Sequence, residues 1–141
     1  MRGHTLVELL LVLTLMGVGV ASLAPSVRRY RDRASVVAAR ETLVALLAEA
    51  RLAAVETGRA AVWISADPWT ARTVAADSTL RAVDFQADYG VEVTLGGGRT
   101  DVELTFDALG LGRLAGQTVG FGRGDARAEL VVSGYGRVRR R

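Results

Sequence analysis

The spacing of apolar residues changes character twice along this chain. From Leu9 to Val27 there is no charged residue, a run about as long as the ~20 residues a helix needs to span a bilayer. From Ser26 to Thr57 the spacing becomes helical. Val36, Ala39, Leu43, Leu47, Ala50 and Ala54 recur three and four apart, which predicts one apolar face, with Glu41, Glu49 and Glu56 pointing away from it. Pro25 lies between the two stretches and predicts an interruption or kink, because it lacks a backbone donor and crowds the preceding turn. Gly58 is placed to cap the C-terminus.

After Gly58 the period shortens to two. Ala60 to Ser65, Arg81 to Phe85, Val91 to Leu95 and Val102 to Phe106 read as strands, with Thr70 to Ala75 a weaker one. Gln117 to Phe121 and Ala128 to Ser133 are the last strands expected. Gly96-Gly97-Gly98 predicts a hairpin turn between its flanking strands. One long helix followed only by strands predicts an α+β fold, the helix packed on an antiparallel β-sheet domain.

Composition narrows the chemistry. With 141 residues and no cysteine, the chain is one domain plus an appendage, without disulfides or thiol chemistry. His4 is the only histidine and stands at the very start, so neither a His-based triad nor a multi-His metal site can form in one chain. No enzyme activity, cofactor or metal is expected. Asp101, Glu103 and Asp107 alternate along a strand and read as a solvated face, with a weak carboxylate site for calcium as the alternative, and Trp63 and Trp69 read as packing positions. All 18 basic residues are arginine and the net charge is +3. Two arginine groups stand out: Arg28, Arg29, Arg31 and Arg33 after the apolar run, and Arg137, Arg139, Arg140 and Arg141 at the end.

The N-terminus has the basic start and apolar stretch of a secretory signal. A cut after Ala24, however, would face Pro25, and such signals do not normally carry an acid like Glu8. A cut after Gly3 would leave the helix on the mature chain. The segment Gly3-His4-Thr5-Leu6-Val7-Glu8-Leu9-Leu10 resembles the class III signal of type IV pilins and type II secretion pseudopilins, although that family usually has Phe where His4 stands. The resemblance implies that a prepilin peptidase cuts after Gly3 and methylates His4, making residues 1–3 a leader peptide. It implies that residues 4–27 form a transmembrane and filament-core helix kinked at Pro25, and that 28–141 form an exported domain. Glu8 then becomes a buried carboxylate in a bundle of parallel helices. Its nearest cation is the freed α-amine of a neighbouring subunit, a pair that sets register more surely than it adds stability.

Toward the C-terminus, Thr105-Phe106-Asp107 through Gly110, and Leu130-Val131-Val132-Ser133 through Gly136-Arg137-Val138-Arg139, resemble the GspH/FimT branch of minor pseudopilins and minor pilins. That resemblance implies a pseudopilus subunit for type II secretion or a related type IV pilus, with other pilins as partners. It also implies an inner-membrane precursor with a cytoplasmic N-terminus and a periplasmic domain. The positive-inside tendency applied to Arg28–Arg33 points the other way. FimT-like members bind DNA through a Gly-Arg-x-Arg motif, matched here by Gly136, Arg137 and Arg139. Arg137, Arg139, Arg140 and Arg141 are thus candidate contacts to double-stranded DNA, with a strand end or a solubilising terminus as the plain alternatives.

Overall fold

The computed structural model describes residues 5–113 and 116–141, without the side chains at 18 and 20–24. The chain divides into two compact units, Met1–Arg31 and Asp32–Arg141. One helix, α1 (Leu6–Thr57), runs through both. Thr5 starts it by accepting the Glu8 and Leu9 amides on its carbonyl at 3.0 and 3.2 Å and the Glu8 amide again on Oγ1 at 3.3 Å. Pro25 lies inside the helix and does not end it. A proline removes only its own donor, so the turns on either side persist.

In the second unit α1 buries the predicted face: Val36, Ala39, Leu43, Leu47, Ala50 and Ala54, joined by Leu46. Gly58 closes the helix at φ +89°, donating its amide to the Ala54 carbonyl at 2.8 Å. Only a residue without a Cβ takes that left-handed conformation at little cost.

The strands form two antiparallel sheets, where the pattern predicts one. The first contains β1 (Arg59–Ala66), β2 (Trp69–Ala75), β3 (Ser78–Asp84) and β5 (Asp101–Asp107), in the order β3-β2-β1-β5. The second contains β4 (Glu92–Leu95), β6 (Gln117–Arg123), β7 (Ala126–Val132) and β8 (Val138–Arg140), in the order β4-β6-β7-β8. Gly96-Gly97-Gly98 is therefore no hairpin turn. The Gly96 amide still continues the β4–β6 ladder by donating to Thr118 O at 2.8 Å. Gly97 and Gly98, at φ +78° and +67°, then carry the chain to the other sheet.

Phe85, expected at a strand end, opens a short helix instead, α2 (Phe85–Tyr89). Asp84 caps it by accepting the Gln86 and Ala87 amides at 2.9 Å each, and Gly90 ends it at φ +62°. An aspartate five residues before a Tyr-Gly pair is a readable signal for this turn of helix. The core is Leu43, Leu46, Ile64, Leu104, Phe106 and Leu130 together with Phe85 and Phe121. The last two rings meet edge to face at 5.6 Å.

Candidate functional site

Gly3 and His4 lie outside the described residues. Glu8 sits in the first turn of α1. The side chains around it, Leu6, Val7, Leu9 to Leu13, Leu15 and Met16, are all exposed in the isolated chain. Among the described residues, no helix is long and apolar enough to cross a membrane. The expected span over 4–27 draws on residues 4, 18 and 20–24, which are only partly within that description.

The C-terminal arginines are not a loose tail. β8 pairs with β7, matching Val132 to Val138, Val131 to Arg139 and Leu130 to Arg140. Glu129 and Arg141 extend the ladder by exchanging amide hydrogen bonds at 3.0 and 2.9 Å. Successive strand residues face opposite ways. Val138 thus packs on the core while Arg139 stays exposed opposite Val131.

Arg140, on the Val138 side, reaches α1. Its Nε and Nη2 donate to Glu41 Oε1 and Oε2, each at 2.9 Å. Arg40 donates to the same carboxylate from Nη2 at 2.9 Å and to the Arg141 carbonyl at 3.4 Å. Glu41 therefore does not simply point into solvent, and Arg140 is a structural clasp. Arg137, Arg139 and Arg141 remain as the exposed members whose side chains make no ion pair among the described residues.

The turn that presents Arg137 is tightly built. Gly136 donates its amide to Ser133 O at 2.8 Å, and Arg137 donates its own to Ser133 Oγ at 3.0 Å. Gly136 stands at φ +79°, where a Cβ would lie 3.0 Å from both Arg51 Nη2 and Phe106 Cε1. The glycine of the Gly-Arg-x-Arg segment is thus demanded by local packing. Beside it Tyr135 is 76% exposed.

Two carboxylates near this end are perturbed. The hydrogen bond from Arg140, aided by Arg40, lowers the pKa of Glu41 below its ordinary 4.5 despite opposing desolvation. Asp107 is lowered by the Leu111 amide first, then by the Leu109 amide and Arg113. For a depressed carboxyl, the stabilisation is complete above the unfolded pKa and is lost as pH falls through the folded one. Acidification to below the ordinary 4.5 of a glutamate is therefore expected to loosen β8 before the core opens. Amide exchange of Arg139 and Arg141 should rise there while that of Leu130 holds, and Glu41→Gln should abolish the pH dependence. Unchanged acid sensitivity in Glu41→Gln would remove the clasp from the explanation.

Asp101, Glu103 and Asp107 do share the outer face of β5. Asp107, however, is engaged as a turn cap, accepting the Leu109 and Leu111 amides on Oδ1 at 3.0 Å each and Arg113 Nε on Oδ2 at 3.3 Å. Among the described residues no group of three or more acids or histidines could hold a metal ion. Trp69 packs against the core as expected. Trp63 does not: it is 39% exposed on the outer sheet face, with the Arg72 guanidinium 6.0 Å from its ring. A cleft of about 360 Å³ beside it is lined by Thr57, Arg59, Ala61, Val74, Asp77 and Glu103, and the Thr57 hydroxyl is turned to the Ala53 and Arg59 carbonyls at 2.8 and 3.0 Å.

No protein family matches the chain by sequence pattern, and no curated protein matches it. Two solved structures resemble it, both crystal forms of the type IV minor pilin FimU of Pseudomonas aeruginosa. The P21 form is 22% identical with a TM-score of 0.59, covering 77% of this chain and 90% of that one. The P65 form is 24% identical with a TM-score of 0.54, covering 74% and 90%. With its long N-terminal helix packed on antiparallel sheets, the chain has a type IV pilin-like α+β fold.

Proposed function

We propose that this chain is a non-catalytic subunit of a filament, a minor pseudopilin of a type II secretion system or of a closely related type IV pilus. The observation that carries the proposal is the pilin-like fold joined to a helix whose apolar side chains are exposed in the single chain. An exposed apolar surface of that extent calls for burial against lipid or protein. In this reading a prepilin peptidase cuts after Gly3 and methylates His4, and residues 4–27 hold the precursor in the inner membrane. The N-terminus is cytoplasmic and the domain periplasmic until neighbouring pilins take up the helix. Glu8 then meets the α-amine of the next subunit and sets its register. Gly3→Glu is expected to leave the full-length precursor in the inner membrane, seen as a single slower band on a membrane-fraction blot. Normal maturation of that variant would sink the proposal.

A second reading is favoured by one specific observation. Arg137 and Arg139 are exposed and unengaged by ion pairs among the described residues, next to an exposed tyrosine. Two such guanidinium groups can meet the phosphates of double-stranded DNA without sequence preference. A DNA-uptake pilus would use that property, whereas a secretion pseudopilus would not.

A further inference from the structure

On the outer face of the first sheet a large side chain stands next to a small one. Along β1, Arg59, Ala61, Trp63 and Ser65 share that face, because alternate strand residues point the same way. The step down from Trp63 to Ala61 leaves the cleft of about 360 Å³. Ala61 and its cross-strand partner Val74 supply the apolar lining. A second cleft, about 180 Å³, is lined by Ser65, Thr70, Arg72 and Asp101 and again by Trp63. The indole therefore borders both.

Polar groups meet at the larger cleft without partners of their own. Arg59, Asp77 and Glu103 line it, and their side chains make no ion pair or hydrogen bond among the described residues. A strained turn brings Asp77 there. Ala75 pairs with Ser78, which leaves Ala76 and Asp77 as a two-residue loop, both at positive φ, +48° and +61°. Such loops favour Asn-Gly or Asp-Gly, and an alanine there crowds its Cβ against the backbone. Strain of this kind collects at sites that need one group in one place. Arg72 lies over the indole at 6.0 Å, so the ring already faces a cation.

We propose that this face binds a neutral oligosaccharide, one sugar ring stacked on Trp63. A pyranose ring has a C–H face for the indole. The hydroxyls around its edge donate to Glu103 and Asp77 and accept from Arg59. The larger cleft has the size of a small-ligand site, about 300–1,000 Å³. One guanidinium against two carboxylates disfavours phosphate, and Arg72 over the ring disfavours a cationic ligand. A sugar chain crossing Trp63 continues into the second cleft, between Arg72 and Asp101. This site depends on neither reading of the filament.

The test uses the full chain in micelles of a detergent without a sugar headgroup. Trp63 and Trp69 are the two tryptophans, so Trp69→Phe leaves Trp63 as the fluorescent reporter. Cellotriose, maltotriose and chitotriose are titrated to about 10 mM, past the millimolar end of specific binding. At least one should shift the Trp63 emission and saturate. By saturation-transfer NMR, Trp63→Ala should lose about tenfold or more in affinity, and Glu103→Gln about threefold. Asp77→Gly relieves the turn and removes a carboxylate, so it should raise the melting temperature while weakening binding. No response to any of the three sugars overturns the proposal, as does unchanged binding in both Glu103→Gln and Asp77→Gly. A heparin tetrasaccharide that shifts the emission when the neutral sugars do not would make this an anion site. An unstructured mixed-sequence peptide doing the same would make it a protein-docking face. Either result replaces the sugar assignment. Should Trp63→Ala not fold, Glu103→Gln decides, since unchanged affinity there takes the carboxylate, and with it the cleft, out of binding.

Discussion

Phe121→Ala is expected to destabilise the domain by about 3–5 kcal/mol, the usual cost of removing a large aromatic from a core. Phe121 is 1% exposed and stands in the middle of its sheet, pairing with Ala128 across one ladder and Val93 across the other. Its ring is held edge to face by Phe85 at 5.6 Å, so truncation removes both the transfer energy and an aromatic pair. The cavity would open between α2 and the second sheet, where the five-residue helix offers little to collapse into it. A domain of this size holds only about 5–15 kcal/mol in total, so the melting temperature should drop by roughly 15–30 °C. Calorimetry or thermal circular dichroism reads this directly. Trp63→Ala serves as the contrast, because a partly exposed side chain on an outer sheet face should cost far less. A loss under about 1 kcal/mol for Phe121→Ala would mean that the two rings do not share a packed core.

The second large effect concerns the arginines under the DNA reading. Changing Arg137 and Arg139 together to Gln should weaken binding to duplex DNA by about tenfold or more. The salt slope should flatten by about 0.9 for each phosphate that is no longer neutralised. The fold should be unaffected, since neither side chain makes an ion pair among the described residues. Arg140→Gln should behave in the opposite manner. It breaks the two-pronged bond to Glu41 and should loosen β8 while changing the salt slope little. Under this reading the four terminal arginines divide between three whose side chains are free to meet phosphate, Arg137, Arg139 and Arg141, and the clasp, Arg140. A uniform loss of slope across all single variants would show that the strand does not sort them. Removing Arg28, Arg29, Arg31 and Arg33 is the internal control. Binding abolished by that change and retained in the Arg137/Arg139 variant would relocate the interface to the helix.

The Glu41–Arg140 pair contributes only modestly to global stability. Both groups are substantially exposed, at 40% and 52%, and exposed pairs are weakened by water and salt. Its consequence is local: it ties the end of β8 to α1, adding to the backbone ladder and Val138 that already hold the strand on the sheet.

Much of this molecule follows from local pattern. The three- and four-residue spacing from Val36 to Ala54 marks the buried face of α1 because a helix repeats every 3.6 residues whatever it packs against. Gly58 caps the helix for an equally local reason, its positive φ. Alternation locates β1, β2, β5, β6 and β7 to within a residue or two, and places Asp101, Glu103 and Asp107 on one face. Pairing is another matter. Which strand lies beside which depends on contacts between residues far apart in sequence, and a run of glycines looks the same whether it closes a hairpin or crosses between sheets. Hence Gly96–Gly98 joins two sheets where the pattern predicts one. The terminal arginines likewise look like a basic tail until β7 offers an edge and Glu41, distant along the chain, offers a carboxylate. The same limit hides Arg51, whose Nη2 donates to the Gly136 carbonyl at 2.6 Å and whose guanidinium lies 5.6 Å from the Phe106 ring, a clamp that forms only after the helix and both sheets have closed around the core. Local periodicity thus accounts for the helix, its buried face and most of the strands. The two-sheet pairing, the division of the arginines and the clamp behind them arise only on folding, because each depends on long-range burial and hydrogen bonding that no local period encodes.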